Sequence, residues 1–211
     1  MKILRIRKCS EFESFPNEGL FAPQQEIFYI EGLEKLKSMP KRMSALLPSL
    51  NHLYILNCPG MVFFKGCLPS NLKHMNLLNC SKLVASLKGA LGANSSLQIL
   101  KILGADVESF PDESLLPLSL TTLEIDDCPN LNKLDYRGLC HVSSLEYLSL
   151  RNCPVLQCLP EEGLPDSISN LSIEGCPLLK QRCKKGGEDW EKIAHIKSIW
   201  VDSEGVNTQK E

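Results

Sequence analysis

Apolar residues recur along this chain in a short frame that returns every 22 to 25 residues. In the clearest copies the frame is L-x-x-L-x-L/I-x-x-C-x-x-L, as in the stretch from Leu120 to Leu134. Taking the first apolar site as position 1, eight copies align, with position 1 at Met1, Gln25, Leu50, Leu72, Leu97, Leu120, Leu145 and Ile168. A fixed period of this length predicts an array of stacked units rather than one globular core.

Apolar residues at positions 4 and 6 alternate with outward residues, which is the pattern of a short strand with one buried face. We expect the strands of successive copies to pair in parallel, about 4.8 Å apart. The segments between the strands contain proline and polar turn residues, which favours an irregular return path. The period and the cysteine at position 9 are typical of leucine-rich repeats. We therefore predict an α/β leucine-rich-repeat solenoid, a horseshoe with a parallel β-sheet on its concave face and an irregular convex side.

The frame stops after Cys176, and the remaining sequence predicts a short C-terminal cap. The acidic pair that follows Gly187 favours the start of a short helix, in which Trp190, Ile193 and Ile196 would share one face. This cap would cover the open edge of the last coil, which would otherwise invite pairing with another strand.

The predicted organisation is a solenoid of about eight repeats over residues 1–179, a cap over 180–202 and a disordered tail over 203–211. No capping segment precedes the first copy, and a terminal repeat needs a polar outer face to remain soluble. We therefore expect the chain to begin partway along a longer solenoid.

Ten cysteines are present, and their positions argue against a disulfide framework. Six of them occupy position 9, where Leu33 and Ala105 stand in the other two copies. Because buried cysteine behaves as a small hydrophobe, we interpret the six as reduced packing residues of a cytosolic protein. The net charge of −2 gives no reason to expect binding to nucleic acid or to an anionic membrane. No run of 18 apolar residues and no signal peptide is present.

Four copies carry Cys-Pro at positions 9 and 10, beginning at Cys58, Cys128, Cys153 and Cys176. This repeat resembles that of plant intracellular disease-resistance proteins, the nucleotide-binding leucine-rich-repeat immune receptors, and especially their coiled-coil class. The segments from Leu159 to Cys183 and from Glu188 to Asp202 resemble the C-terminal end of those receptors, although Lys197 stands where the family commonly has proline. The P-loop of these receptors is absent from the chain, so the resemblance does not extend to nucleotide binding.

The resemblance implies a protein-recognition module of plant innate immunity, which senses pathogen effectors, holds a nucleotide-binding receptor inactive, or does both. The implied partner is a protein in the cytoplasm, either a pathogen effector or the nucleotide-binding domain of the same receptor. The alternative is a stand-alone leucine-rich-repeat adaptor or decoy, for example the substrate-recognition part of a ubiquitin ligase. The sequence leaves the oligomeric state open.

Outward residues at positions 3, 5, 7 and 8 would form the concave surface, where exposed polar and aromatic side chains can recognise a partner. The candidate binding residues are Arg5, Arg7, Tyr29, His52, Tyr54, His74, Glu124, Asp126, Asp127, Tyr147 and Arg151. They run from basic in copy one to acidic in copy six, an asymmetry that could orient a charged partner. The tyrosines are the strongest single candidates, because aromatic residues are enriched at interface hot spots.

The chain offers no arrangement that predicts catalysis, a cofactor or a metal site. His52 and His74 occupy equivalent outward positions, and no serine beside them carries a nucleophile motif. Cys176, Cys183 and His195 do not have the spacing of a zinc module. A hydrolase would need a nucleophile and a base within reach of each other, so we predict no enzymatic activity, no cofactor and no metal.

Overall fold

The computed structural model describes residues 2–16, 19–91, 95–202 and 204–205. The chain forms two compact units, Met1–Ala105 and Asp106–Glu211. Met1, which is position 1 of the first copy, lies outside the described residues. So do residues 203 and 206–211 of the predicted tail, for which disorder stays a prediction, whereas Glu204–Gly205 of that tail form a short strand.

The first unit contains one strand for each of the first five copies, and each strand occupies positions 3 to 7 of its copy. These strands are β1 (Ile3–Arg7), β2 (Ile27–Glu31), β3 (His52–Leu56), β4 (His74–Leu78) and β5 (Ile99–Leu103). They pair in parallel in chain order, and equivalent positions of neighbouring copies lie opposite each other. Two short helices, α1 (Met43–Leu46) and α2 (Ser81–Ser86), interrupt the return paths.

The second unit repeats this arrangement for copies six to eight and then adds further strands. In chain order its strands are β6 (Ser109–Phe110), β7 (Thr122–Asp126), β8 (Lys133–Leu134), β9 (Tyr147–Arg151), β10 (Asn170–Glu174), β11 (Ser198–Val201) and β12 (Glu204–Gly205). Strands β7, β9, β10 and β11 form one parallel sheet, and β6 pairs with β8 on the return paths. The helices are α3 (Tyr136–Leu139) and α4 (Pro177–Arg182). The strand positions predicted from all eight copies are therefore confirmed.

The core includes the apolar residues at positions 1, 4, 6, 9 and 12 of the repeat, together with return-path residues such as Leu47 and Leu68. In copy three, for example, Leu50, Leu53, Ile55 and Cys58 are all fully buried. Copy one differs, because the side chains of its strand residues are exposed or only half-buried. Stacking of equivalent apolar residues thus gives each coil its core through its neighbours, as expected for a solenoid.

The cysteines at position 9 pack as predicted, with one exception. Cys58, Cys80, Cys128, Cys153 and Cys176 are buried, whereas Cys9 is exposed, and all ten cysteines of the chain are free thiols. The buried thiols lie within hydrogen-bond distance of the carbonyl oxygen two residues earlier, as for Cys80 Sγ and Leu78 O at 3.1 Å. Burial raises the pKa of Cys80 to about 12, so the thiol stays protonated at neutral pH.

Position 8 has a left-handed backbone conformation in all eight copies, at Lys8, Gly32, Asn57, Asn79, Gly104, Asp127, Asn152 and Gly175. Position 8 was predicted to belong to the binding surface, but seven of its eight residues are Gly, Asn or Asp, the types that tolerate a positive φ best. The turn aims the N–H of position 8 at the next coil: Asn57 N donates to Leu78 O at 2.8 Å. Asn79 Nδ2 also donates to Asn57 Oδ1 at 2.7 Å, which links the turns by side chains.

The cap differs from its prediction, because the residues after Gly187 form turns and a strand instead of a helix. Ile196, Ile199 and Val201 keep the spacing of positions 1, 4 and 6, and all three are buried. Strand β11 pairs in parallel with β10, so this segment adds one more strand to the sheet. A helix was predicted because Trp190, Ile193 and Ile196 are spaced three residues apart, but positions 1 and 4 of the repeat have the same spacing.

Asp189 ties the cap to the preceding coil. Its side chain is 0% exposed, and its carboxylate accepts hydrogen bonds from the Leu159 N–H at 2.9 Å and from Arg182 Nε at 3.1 Å. Lys192 Nζ lies 2.9 Å from the other carboxylate oxygen. Burial disfavours the charged form, but the hydrogen bonds from Arg182, Leu159 and Lys192 outweigh it and lower the pKa of Asp189.

Replacing Asp189 with Asn should destabilise the second unit by about 2–3 kcal/mol at neutral pH, because two cations lose their shared buried carboxylate. The wild-type contribution is present above the unfolded pKa of 3.8 and is lost as pH falls through the lower folded pKa. Urea unfolding at pH 7 and at pH 3 should therefore show a gap between the two proteins that narrows in acid. Equal stability at pH 7 would contradict this role.

Gly104 and Gly66 form a matched pair for testing the contact between the left-handed turns at position 8 of neighbouring coils. Both have a φ of +63°, but a Cβ on Gly104 would lie 2.0 Å from Asn79 Oδ1, whereas a Cβ on Gly66 meets nothing within 4 Å. We expect Gly66→Ala to cost about 1 kcal/mol from backbone strain alone. Gly104→Ala should cost about 1 kcal/mol more, because Asn79 must give up its hydrogen bond to Asn57. Equal shifts in urea midpoint would show that the close approach does not matter.

Candidate protein-binding surface

The outward side of the first unit's sheet carries three rows of side chains, which we call its strand face. Position 3 contributes Ile3, Ile27, His52, His74 and Ile99. Position 5 contributes Arg5, Tyr29, Tyr54, Asn76 and Lys101. Position 7 contributes Arg7, Glu31, Leu56, Leu78 and Leu103. Because the pairing is parallel and in register, each residue lies beside its equivalent in the next strand.

Six of the predicted binding residues come together on this face, and four of them form a continuous run of rings. The Tyr29 and Tyr54 rings are 6.1 Å apart, and Tyr54 lies 6.4 Å from His52 with nearly parallel planes. The His52 and His74 rings stack at 4.2 Å. We call these four residues the aromatic row. Ring pairs at such separations stabilise each other beyond the area that they bury.

Arg7 fixes one end of the aromatic row. Its guanidinium lies 5.5 Å from the centre of the Tyr29 ring and forms an ion pair with Glu31 at 2.6 Å. The Tyr29 hydroxyl donates to the same carboxylate at 3.2 Å. The hydrogen bond from Arg7 lowers the pKa of Glu31, so this carboxylate stays charged and holds both partners. The predicted basic residue Arg7 is thus engaged within the protein.

The stacked histidines prefer the neutral state. Desolvation lowers the pKa of both rings, and for His74 the neighbouring His52, Lys73 and Lys101 lower it further. Glu26 opposes this effect at His52, but the lowered direction prevails. At neutral pH the centre of the strand face is therefore aromatic and uncharged.

Leu56, Leu78 and Leu103 form an apolar row that the sequence analysis missed. They occupy position 7 in copies three to five, lie opposite one another in register and are only half-buried. The sequence contained a signal for this row: position 7 is leucine in copies three to five but holds a charged residue in copies one, two, six, seven and eight. Together with the aromatic row they make much of this face apolar, which is typical of an interaction surface.

In the second unit, the predicted charged residues have partners within the sheet. Asp126 lies opposite Arg151, and its carboxylate accepts a hydrogen bond from Asn152 Nδ2 at 2.9 Å. Arg151 Nε lies 3.2 Å from a carboxylate oxygen of Glu174. Asp127 occupies the left-handed position 8, which explains its residue type by backbone conformation. Internal contacts thus account for much of the charge on this face.

Tyr147 and Trp200 are the aromatic residues on the strand face of the second unit. Tyr147, at position 3 of copy seven, was predicted to lie on this face, whereas Trp200 was not. Trp200 lies in β11, at position 5 of the frame that begins at Ile196. It is opposite Ser172 and is 51% exposed. The spacing of Ile196, Ile199 and Val201 was the signal that would have placed it outward. Glu124, the remaining candidate, lies opposite Ser149 on the same face.

Within the described residues, no group of three or more His, Cys, Asp and Glu side chains is arranged to hold a metal ion. None of the described helices has the length and apolar character needed to cross a bilayer. The arrangement on the strand faces offers stacking, apolar contact and charge pairing, which are the interactions of protein recognition.

Comparisons with solved structures and curated proteins agree with this architecture. The chain superimposes on CroV588, a circular leucine-rich-repeat protein, with a TM-score of 0.54 at 16% identity, covering 95% of this chain and 33% of that one. This chain has the leucine-rich-repeat fold. The leucine-rich-repeat region is also 32% identical over 134 residues to a protein named as a disease resistance protein in Arabidopsis thaliana.

The sequence match covers 63% of this leucine-rich-repeat region but only 9% of the Arabidopsis protein. No family model matches the chain. The match confirms the resemblance seen in the residues, namely to the repeat region of a plant disease-resistance protein.

The stacked histidines should make the first unit less stable in mild acid. Their folded pKa lies below the unfolded value of 6.5, so stability is complete above that value and falls as pH drops through the folded pKa. Replacing His74 with Gln removes one ring of the pair and should reduce this loss. Urea midpoints at pH 7.5 and 5.5 test the expectation, and an equal decline in both proteins would contradict it.

Proposed function

We propose that this leucine-rich-repeat region is a protein-recognition module of plant innate immunity and that it acts in the cytoplasm through its strand face. The observation that carries the proposal is the aromatic row of the first unit, lying beside the apolar row Leu56, Leu78 and Leu103. Aromatic residues on a rigid scaffold lose little conformational freedom on binding, so they give large contact area at low entropic cost.

The recognised protein is a pathogen effector, the nucleotide-binding domain of a receptor that contains this region, or each in turn. Both roles can use one surface. A receptor domain that rests on the strand face in the inactive state would be displaced by an effector that binds the same face more tightly. Such a ligand shifts the receptor toward its released state in proportion to its differential affinity. The region itself performs no reaction in this scheme.

The resemblance to a disease-resistance protein supports the immune role, and the half-buried apolar side chains support protein contact over binding of a small polar ligand. A stand-alone adaptor or decoy, such as the substrate-recognition part of a ubiquitin ligase, would use the same surface. The receptor hypothesis and the adaptor hypothesis differ in the partner protein, so identifying the bound protein distinguishes them.

The proposal predicts that a Tyr29→Ala, Tyr54→Ala double variant loses its partners. We expect at least a tenfold weaker recovery, because truncation of an aromatic hot-spot residue costs about 2 kcal/mol or more. Tagged protein would be cross-linked in leaves with and without pathogen challenge, and the recovered proteins quantified by mass spectrometry. Phe21→Ala is the matched control, since Phe21 is an exposed aromatic residue of the same unit outside the strands.

Tyrosine-dependent recovery of a pathogen protein would support effector sensing, and recovery of a plant nucleotide-binding protein would support autoinhibition. A ubiquitin-ligase subunit would favour the adaptor instead. Recovery that is equal for the double variant and the wild-type protein would refute the strand face as the recognition surface.

A further inference from the structure

The first three strands enclose a small hollow on the strand face. It measures about 220 Å³ and is lined by Ile3, Arg5, Ile27, Tyr29 and Tyr54. Ile27 is only 7% exposed and forms the floor, while Ile3 is 42% exposed at the rim. Cofactors and drug-sized ligands occupy larger pockets, of about 300 Å³ or more. The hollow is therefore of a size for a single side chain from another protein.

The aromatic walls of the hollow are held in place before any partner arrives. Tyr29 lies between the Arg7 guanidinium and the Tyr54 ring, and its hydroxyl is bound to Glu31. Tyr54 stacks in turn on His52. A wall that is already ordered needs no further loss of conformational freedom on binding, which favours a tight and specific contact.

The charge at the hollow is unbalanced. Arg7 is neutralised by Glu31 at 2.6 Å, but among the residues that the structure describes no carboxylate is paired with Arg5. Lys2 and Lys8, at the two ends of the same strand, are exposed and add positive charge. A guanidinium at the edge of an apolar hollow favours a carboxylate, with which it forms two parallel hydrogen bonds.

We propose that this hollow binds an acidic segment of a protein partner, taking one aromatic or large aliphatic side chain while an adjacent carboxylate of the segment pairs with Arg5. The inference rests on the proposed function and names the partner chemistry of the same face. A basic segment is disfavoured, because it would meet Lys2, Arg5 and Lys8 with charge of the same sign.

A library of random dodecapeptides displayed on phage tests the proposal with the purified chain as bait. Peptides retained by the wild-type protein should share a Phe, Tyr, Trp or Leu next to Asp or Glu. Their affinities are then measured for the wild-type protein and for Arg5→Gln. We expect a loss of tenfold or more with Arg5→Gln, and an equal loss when the peptide's acidic residue becomes its amide.

The two changes together should cost little more than either alone, because each removes the same ion pair. Lys65→Gln is the control: it removes one positive charge from an exposed residue of the same unit that lies outside the strands, and affinity should stay within twofold. The peptide-side substitution keeps the test valid even if Arg5→Gln alters folding, which is checked by its urea midpoint.

Peptides that need Tyr54 but bind wild-type and Arg5→Gln protein equally would overturn this inference while leaving recognition by the strand face intact. Selected peptides without acidic residues would overturn it as well. The cross-linking experiment in leaves tests the proposed function separately. A failure of the acidic-segment inference can therefore be distinguished from a failure of the proposed function.

Discussion

The in-register parallel ladder is the constraint on which the rest of this structure depends. A five-residue strand is too short to be stable alone, so each coil derives its order from its neighbours. Two features fix the register together. Apolar residues at positions 4 and 6 must face the core, and the left-handed turn at position 8 aims its N–H at the next strand. A slip of one residue would turn every core side chain outward.

The same register creates the recognition surface. Because equivalent positions are neighbours, residues some 22 to 25 apart in sequence become adjacent rings or adjacent leucines. His52 and His74 stack only because both are position 3 of successive copies. The backbones of the interior strands already satisfy one another by hydrogen bonds, so contact with a partner across this face is made by the side chains. Specificity can therefore change from coil to coil while the fold is unchanged.

The C-terminal end shows how the ladder tolerates an imperfect copy. Strand β11 continues the sheet, but the chain turns back one residue early, at Asp202, which has a positive φ. The N–H of Gly175 then donates to the side-chain carboxylate of Asp202 at 2.9 Å instead of to a backbone carbonyl. The buried Asp189 secures the intervening turns through Arg182 and Lys192. At this end of the chain, the carboxylates of Asp202 and Asp189 thus accept hydrogen bonds that the regular repeat would direct to backbone carbonyls or would not need.

The sequence by itself determined the repeat, the strand positions and which side chains point away from the core, because a two-residue alternation sets side-chain direction. It placed Tyr29, Tyr54, His52 and His74 on one face and gave the cysteines their packing role. Only the tertiary structure decided that Arg7 is neutralised by Glu31, that Arg5 has no paired carboxylate among the described residues, and that Trp200 belongs to an added strand. Periodicity fixes the direction of a side chain, but its partners depend on rotamers and on contacts with the next coil.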